Sequence, residues 1–211
     1  MGKTLSRHML VGALAISFTV LFYLSRSQWD TMHAWNRAFA DVSLLFLSII
    51  MLLGALSKVL KALNKWLVWR RDFGIWAGVT AIIHLLIILN GWVEWQLFRF
   101  FYVFSPFVGD WVLHPGFALG NIIGIVALVY IIILTITSNE ISIRLLGRKS
   151  WLYVQQKAHI LYLLVILHTA YFLFFHNPNS TNWLRTPFVI LIVGIWLTHL
   201  VVFFIHTKRM K

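Results

Sequence analysis

Six apolar stretches, at approximately 9–25, 38–57, 73–90, 116–137, 152–175 and 187–206, constrain this chain more than any other feature. A bilayer hydrocarbon core of about 30 Å is crossed by about 20 helical residues rising 1.5 Å each. The stretches meet that requirement, with the first and third nearest its lower limit. Lipid offers the backbone no hydrogen-bond partner, so a spanning segment must be a helix or part of a closed barrel. Period-two alternation, the mark of barrel strands, is missing. The expected fold is all-α: a polytopic six-helix transmembrane bundle, one domain over residues 1–211. Charge agrees, since only 11% of residues are charged against about 25% in soluble domains.

The basic start and apolar run at the N-terminus look superficially like a signal peptide. The run is too long, and Tyr23-Leu24-Ser25-Arg26 is a poor small-residue cleavage site, so a retained first helix is expected. The net charge of +12 is explained by sidedness rather than by nucleic acid. Arg26, Arg37, Arg99 and Arg185 fall on one side of the predicted topology, and the other 14 of the 18 basic residues on the opposite side. The positive-inside rule then puts both termini in the cytoplasm of a multi-pass cell-membrane protein, in a bacterial inner or plasma membrane. Tryptophans at 29, 35, 92, 95, 111 and 183 mark the outer surface, and those at 66, 69, 76 and 151 the inner one. The aromatic loop over residues 91–115 is expected to lie in the outer interface as a short amphipathic segment capping the bundle. Asp41, the only acid placed within a span, is expected to pair with Arg37 one turn away. Gly120 and Gly124 form a GxxxG pair, the signature of a close helix contact.

The chain has no cysteine, which removes disulfides, iron–sulfur clusters and thiol redox chemistry together. No phosphate-binding glycine loop follows a strand, so this chain carries no flavin or nicotinamide domain. Any redox role needs an external cofactor. Nine histidines are the candidates to hold one. Five, His8, His33, His114, His176 and His206, fall near helix ends or in loops. His84, His159, His168 and His199 fall inside predicted spans, where an ionisable side chain faces the bundle interior and is a functional candidate by default.

Imidazole is the usual axial ligand of heme iron. Counted at 1.5 Å per residue from the outer boundary, His84 lies about 9 Å deep and His168 about 13 Å deep. Two rings at one level on different helices can clamp a porphyrin from its two faces. The alternative is that each imidazole is a polar residue bonded to a neighbouring helix. On the same ruler His159 is level with His206 rather than with His199.

Arg70-Arg71-Asp72-Phe73-Gly74-Ile75-Trp76, followed by His84, resembles the third-helix opening of the ferric reductase-like transmembrane domain. Within that family the heme-binding membrane subunit of the bacterial methionine sulfoxide reductase system is most similar. His114-Pro115-Gly116-Phe117-Ala118-Leu119-Gly120 resembles the start of its fourth helix. Thr137-Ser138, Arg144, Leu146-Gly147 and Trp151 resemble the following cytoplasmic loop, and His168 its outer ligand on the fifth helix. The likeness covers about residues 40–175.

The resemblance implies a b-type heme protein passing electrons across the bilayer, with His84 and His168 as axial ligands. It also implies a cytoplasmic reductase or a quinone as electron donor, and an outer-face oxidoreductase among the possible acceptors. Two departures bear on the number of hemes. The family's inner histidine on the fifth helix is replaced by Gln155, with His159 one turn on, and the inner third-helix position is Arg70. One outer heme is therefore expected. An inner heme is doubtful, with His159 as its substitute ligand. A heme-free scaffold and a small transporter are the alternative readings.

Overall fold

Each apolar stretch folds as a helix. The computed structural model describes residues 2–179 and 181–210, with the side chains at 2, 3, 209 and 210 left aside. Lys211 and the side chains of Lys3 and Arg209, which the charge count included, thus lie outside the described residues. The elements run α1 (Gly2–Leu24), α2 (Thr31–Leu56), α3 (Trp69–Asn90), β1 (Tyr102–Ser105), β2 (Asp110–Leu113), α4 (Pro115–Ile136), α5 (Glu140–Gln156), α6 (Ala158–Ala170) and α7 (Arg185–Met210). Six segments are long and apolar enough to cross a membrane: Thr4–Leu24, Thr31–Leu56, Trp69–Asn90, Pro115–Ile136, Glu140–Phe175 and Arg185–Lys208. The six-helix bundle stands. An even number of crossings puts both termini on one side, and the β1–β2 hairpin belongs to the other.

Local chemistry sets several of the helix starts. The Asp30 carboxylate accepts from the amides of Met32 and His33 and caps α2. His114 Nδ1 accepts from the amide of Phe117, with Pro115 at the first turn of α4, where its missing N–H costs nothing. Asn139 caps α5 by accepting from Ser142.

The connections are more ordered than the sequence predicts. The 91–115 loop holds a short 3-10 turn (Leu97–Phe100) and the antiparallel β1–β2 hairpin, with Tyr102 opposite Leu113, rather than a single amphipathic segment. Arg99 anchors it, bonding Glu94 at 2.8 Å and lying 4.8 Å from the Trp111 ring. The stretch before the fifth span, read as a loop, is α5. It carries a break at Gly147, whose φ of 73° suits a residue without Cβ.

Packing divides the bundle into two bodies. Helix α2 is the hub of one: it packs most extensively on α3 and also on α1 and α7, while α1 packs on α3. Helix α4 packs on α6 and forms the other. Contacts across the seam between them, α3 with α4 and α2 with α6, are fewer than those of α2 with α3 or α4 with α6, although α3 meets α4 as extensively as it meets α1.

Two buried ion pairs fix the first body. Asp41 pairs with Arg26, from the α1–α2 connection, and not with Arg37 as expected. The side chain of Arg26 reaches back across the loop, whereas Arg37 turns toward α6 and lies 5.4 Å from the Phe172 ring. Asp41 is also not the only acid within a span. Asp72 sits fully buried in α3, bonded by Arg7 Nε at 2.8 Å, with His8 Nε2 at 3.0 Å. The sequence-predicted start of the third span lay one residue past Asp72, which hid it. Trp76 donates to the carbonyl of His8 and closes the α1–α3 contact.

Removing one partner of a buried pair leaves the other charge uncompensated, at a cost of about 3–5 kcal/mol. Arg26→Ala is expected to lower the melting temperature in detergent micelles sharply, and Arg26→Met with Asp41→Leu to recover most of the loss. Equal melting of Arg26→Ala and the unsubstituted protein would remove this pair from the account of stability.

Candidate functional site

The level of His84 and His168 follows from the helices that carry them. His84 lies in the penultimate turn of α3, and His168 near the end of α6. The two rings face one another across the seam, with centroids 6.5 Å apart and planes inclined by 79°. Imidazole–metal bonds of about 2 Å on each side, with a further ångström or so from nitrogen to ring centre, put two axial imidazoles of one metal about 6 Å apart between centroids. The observed 6.5 Å is close to that distance.

Each ring is oriented by its own body. His84 Nδ1 donates to the carbonyl of Asn36 on α2 at 3.0 Å. His168 Nδ1 donates to the carbonyl of Gly120 on α4 at 2.8 Å. A carbonyl only accepts, so both Nδ1 atoms carry the proton and both Nε2 atoms keep a free lone pair. Metal-bound histidines characteristically donate their second nitrogen in this way, which fixes tautomer and ring plane.

The GxxxG pair has a specific use here. A Cβ at Gly124 would fall 2.5 Å from His168 Nδ1, and one at Gly120 would collide with the Tyr171 ring. Bare backbone at both positions lets α6 approach α4 closely enough for the His168 bond. Directly after α6 a π-helical turn (Tyr171–Phe175) brings Phe172 to 5.0 Å from His168. Such turns concentrate at functional sites because they re-aim side chains without ending the helix.

A small cavity adjoins the rings on the hairpin side, lined among others by Arg26, Arg37, Asp41, His84, His168 and Leu173. Arg26 is matched by Asp41, but Arg37 has no hydrogen bond among the described residues. The site therefore carries one unmatched cation. Just beyond the span, His176 packs on Phe117, and burial, with Arg37 nearby, holds its imidazole below the ordinary range.

The donor set discriminates between metals. Among the described residues no cluster of three or more His, Cys, Asp or Glu could hold an ion. Structural and catalytic zinc take three or four protein ligands. Two opposed imidazoles instead suit a metal whose other four positions are filled by a macrocycle. The residues fit heme, whose negative propionates Arg37 would answer.

The other histidines are also placed. His33 stacks on Trp92 at 5.7 Å, and His114 caps α4. His159 does not meet His206; its ring lies 5.9 Å from that of His199 on α7. The depth ruler treated every helix as straight and normal to the bilayer, and helix tilt is set by packing instead. Gln155, at the family's inner-ligand position, donates to Thr137 Oγ1 at 2.9 Å and ties the end of α5 to α4. Sequence reasoning missed Asn36 and Gly120, since a backbone carbonyl carries no residue signature.

No curated protein matches the chain. The family model of the ferric reductase like transmembrane component matches residues 39–166, more than half of the chain, from α2 into α6. That range includes His84 and His159 and ends two residues before His168. With this match over four of the six spans, the chain belongs to the ferric reductase-like transmembrane component family.

Proposed function

We propose that this protein is a b-type heme protein of the membrane that passes electrons across the bilayer, with His84 and His168 as the axial pair. The observation that carries this reading is the pair itself: two imidazoles 6.5 Å apart, each with its Nδ1 proton spent on a carbonyl. Bound there, heme supplies one-electron exchange between ferric and ferrous iron. The two Nε2 lone pairs would fill both axial positions, which favours electron transfer over binding of oxygen. Arg37 supplies a positive charge beside the rings and so favours the electron-rich state and an anionic side chain.

The chain's own residues set how such a group is held. One ring belongs to the α2–α3 body and the other to the α4–α6 body. The adjoining cavity is only about 20 Å³, so loading would require the helices that carry the two rings to part. Basic residues at the termini side, including Lys58, Arg70, Arg71, Arg144 and Lys149, orient that side toward the cytoplasm. Electrons would enter there from a separate reductase or a quinol, and leave on the hairpin side to an oxidoreductase. The membrane subunit of a methionine sulfoxide reductase system is the family role that accords best with these six spans.

A visible spectrum of the purified protein tests this directly. The sharp reduced-state bands of bis-imidazole heme are expected; their absence, after reconstitution with hemin, would leave a heme-free scaffold. His84→Ala and His168→Ala are each expected to lose the heme of this site, whereas His33→Ala keeps it. Full heme retention by the His168 variant would refute the ligand assignment.

The close α4–α6 approach gives a second test. Gly124→Val places a branched side chain where His168 Nδ1 sits, and heme content is expected to fall about 10-fold or more, as for loss of an orienting contact. Gly194→Val meets open space and is expected to change nothing. Equal heme content in the two variants would contradict the proposed role of Gly124.

A further inference from the structure

The β1–β2 hairpin presents a large apolar surface that no described part of the chain covers. Phe107, at its tip, is 99% exposed, Val108 68% and Phe104 50%. Soluble surfaces rarely carry contiguous patches of this kind unless a partner or a membrane binds them. Charge is equally scarce. Between Trp95 and Pro115 the only Asp, Glu, Lys or Arg residues are Arg99 and Asp110. Arg99 is spent within the loop, on Glu94 and the Trp111 ring.

The strand register divides the hairpin into two unlike faces. Side chains alternate along a strand, and directly opposed residues share a face. Tyr102 stands opposite Leu113 and Phe104 opposite Trp111, so these four form one face. Phe98 extends it, packing edge-on against both Tyr102 and Trp111. The other face carries Val103 with Val112 and, next to the tip, Ser105 with Asp110. One face is apolar along its whole length, and the other ends in a polar rung.

The root of the hairpin is fixed to the outer ends of two spans. Asn121 Nδ2, two turns into α4, donates to the carbonyl of Phe100 at 2.7 Å. The Phe100 ring is buried with Ile88 of α3 and Val93. The amide of His114 donates to the carbonyl of Phe101, which ties the hairpin to the start of α4. Exposed apolar residues run from that span, at Leu119 and Ile122, through Leu113 into the hairpin.

We propose that the β1–β2 hairpin is a wedge inserted into the outer leaflet, with Tyr102, Phe104, Phe107, Val108 and Leu113 among lipid and Ser105 and Asp110 facing water. The occupant of the apolar face is the bilayer's own lipid, because the surface continues one that already meets lipid along α4. Aromatic side chains favour the layer between headgroups and acyl chains, where interfacial elements bury their apolar side by about 5–10 Å. The sequence places this loop in the interface as one amphipathic segment; the register decides which face meets lipid. Held by lipid at its tip and by Asn121 at its root, the hairpin pins the outer ends of α3 and α4 together. This role does not depend on heme.

The chain has no cysteine, so a single introduced one carries a nitroxide label without background. Val108→Cys and Asp110→Cys, each in the full chain, are labelled in nanodiscs of phosphatidylcholine and phosphatidylglycerol, which are open on both faces. Power-saturation electron paramagnetic resonance then compares access by oxygen, which enters lipid, with access by a nickel chelate, which stays in water. The label at position 108 is expected to favour oxygen and that at 110 the chelate, with ratios differing several-fold. Adding Phe107→Asp is expected to move the 108 label into water; Phe107 is almost wholly exposed, so the change does not act through packing. Equal chelate access at 108 and 110, unaltered by Phe107→Asp, would put the tip in water as a surface for a soluble protein and overturn the wedge. A preference for oxygen at both positions would overturn the assignment of faces.

Discussion

Everything at the outer site depends on how two imidazole protons are spent. In a membrane interior a polar hydrogen must find an acceptor within the protein, and helix backbones offer only the spare lone pairs of their carbonyls. Asn36 and Gly120 supply those lone pairs to His84 and His168. With Nδ1 committed on each ring, the Nε2 atoms have no choice but to turn their lone pairs toward the seam. The neutral, oriented imidazole that a metal requires is thus a by-product of ordinary hydrogen-bond satisfaction in lipid.

Helix α2 is the element through which most of these restraints pass. It carries Asp41 for Arg26 and accepts His84 at Asn36. Its Ser43 donates to the carbonyl of Ala77 on α3, and its Ser48 meets the Tyr162 hydroxyl of α6 at 3.0 Å. A helix that satisfies polar groups on three neighbours cannot rotate without orphaning several of them. That explains why α2 is the most buried of the spans although its composition is no more apolar than that of α4.

The division into two bodies gives the site its form. The two most extensive helix contacts are α2 with α3 and α4 with α6, and the rings of His84 and His168 meet between these pairs. Small residues thin the helices within each body: Gly120 and Gly124 bring α4 to α6, and Gly54 and Gly74 line the space near Arg70. The His84–His168 contact joins the two bodies.

Length and hydropathy determined the six spans and their helical state, because lipid leaves the backbone no alternative. That His84 and His168 share one level was also legible, since a fixed rise per residue converts sequence position into height along a helix. Rotation about the helix axis, tilt and long-range partners were not legible, because they are set by contacts between residues far apart in the chain. For that reason Asp41 was matched with Arg37, its neighbour in sequence, when Arg26 reaches it across the loop, and His159 was set level with His206 when α7 presents His199. The hairpin, the buried Asp72 and the carbonyls behind the two imidazoles belong to the same class: each is decided by which surfaces come together, and only the folded bundle specifies that.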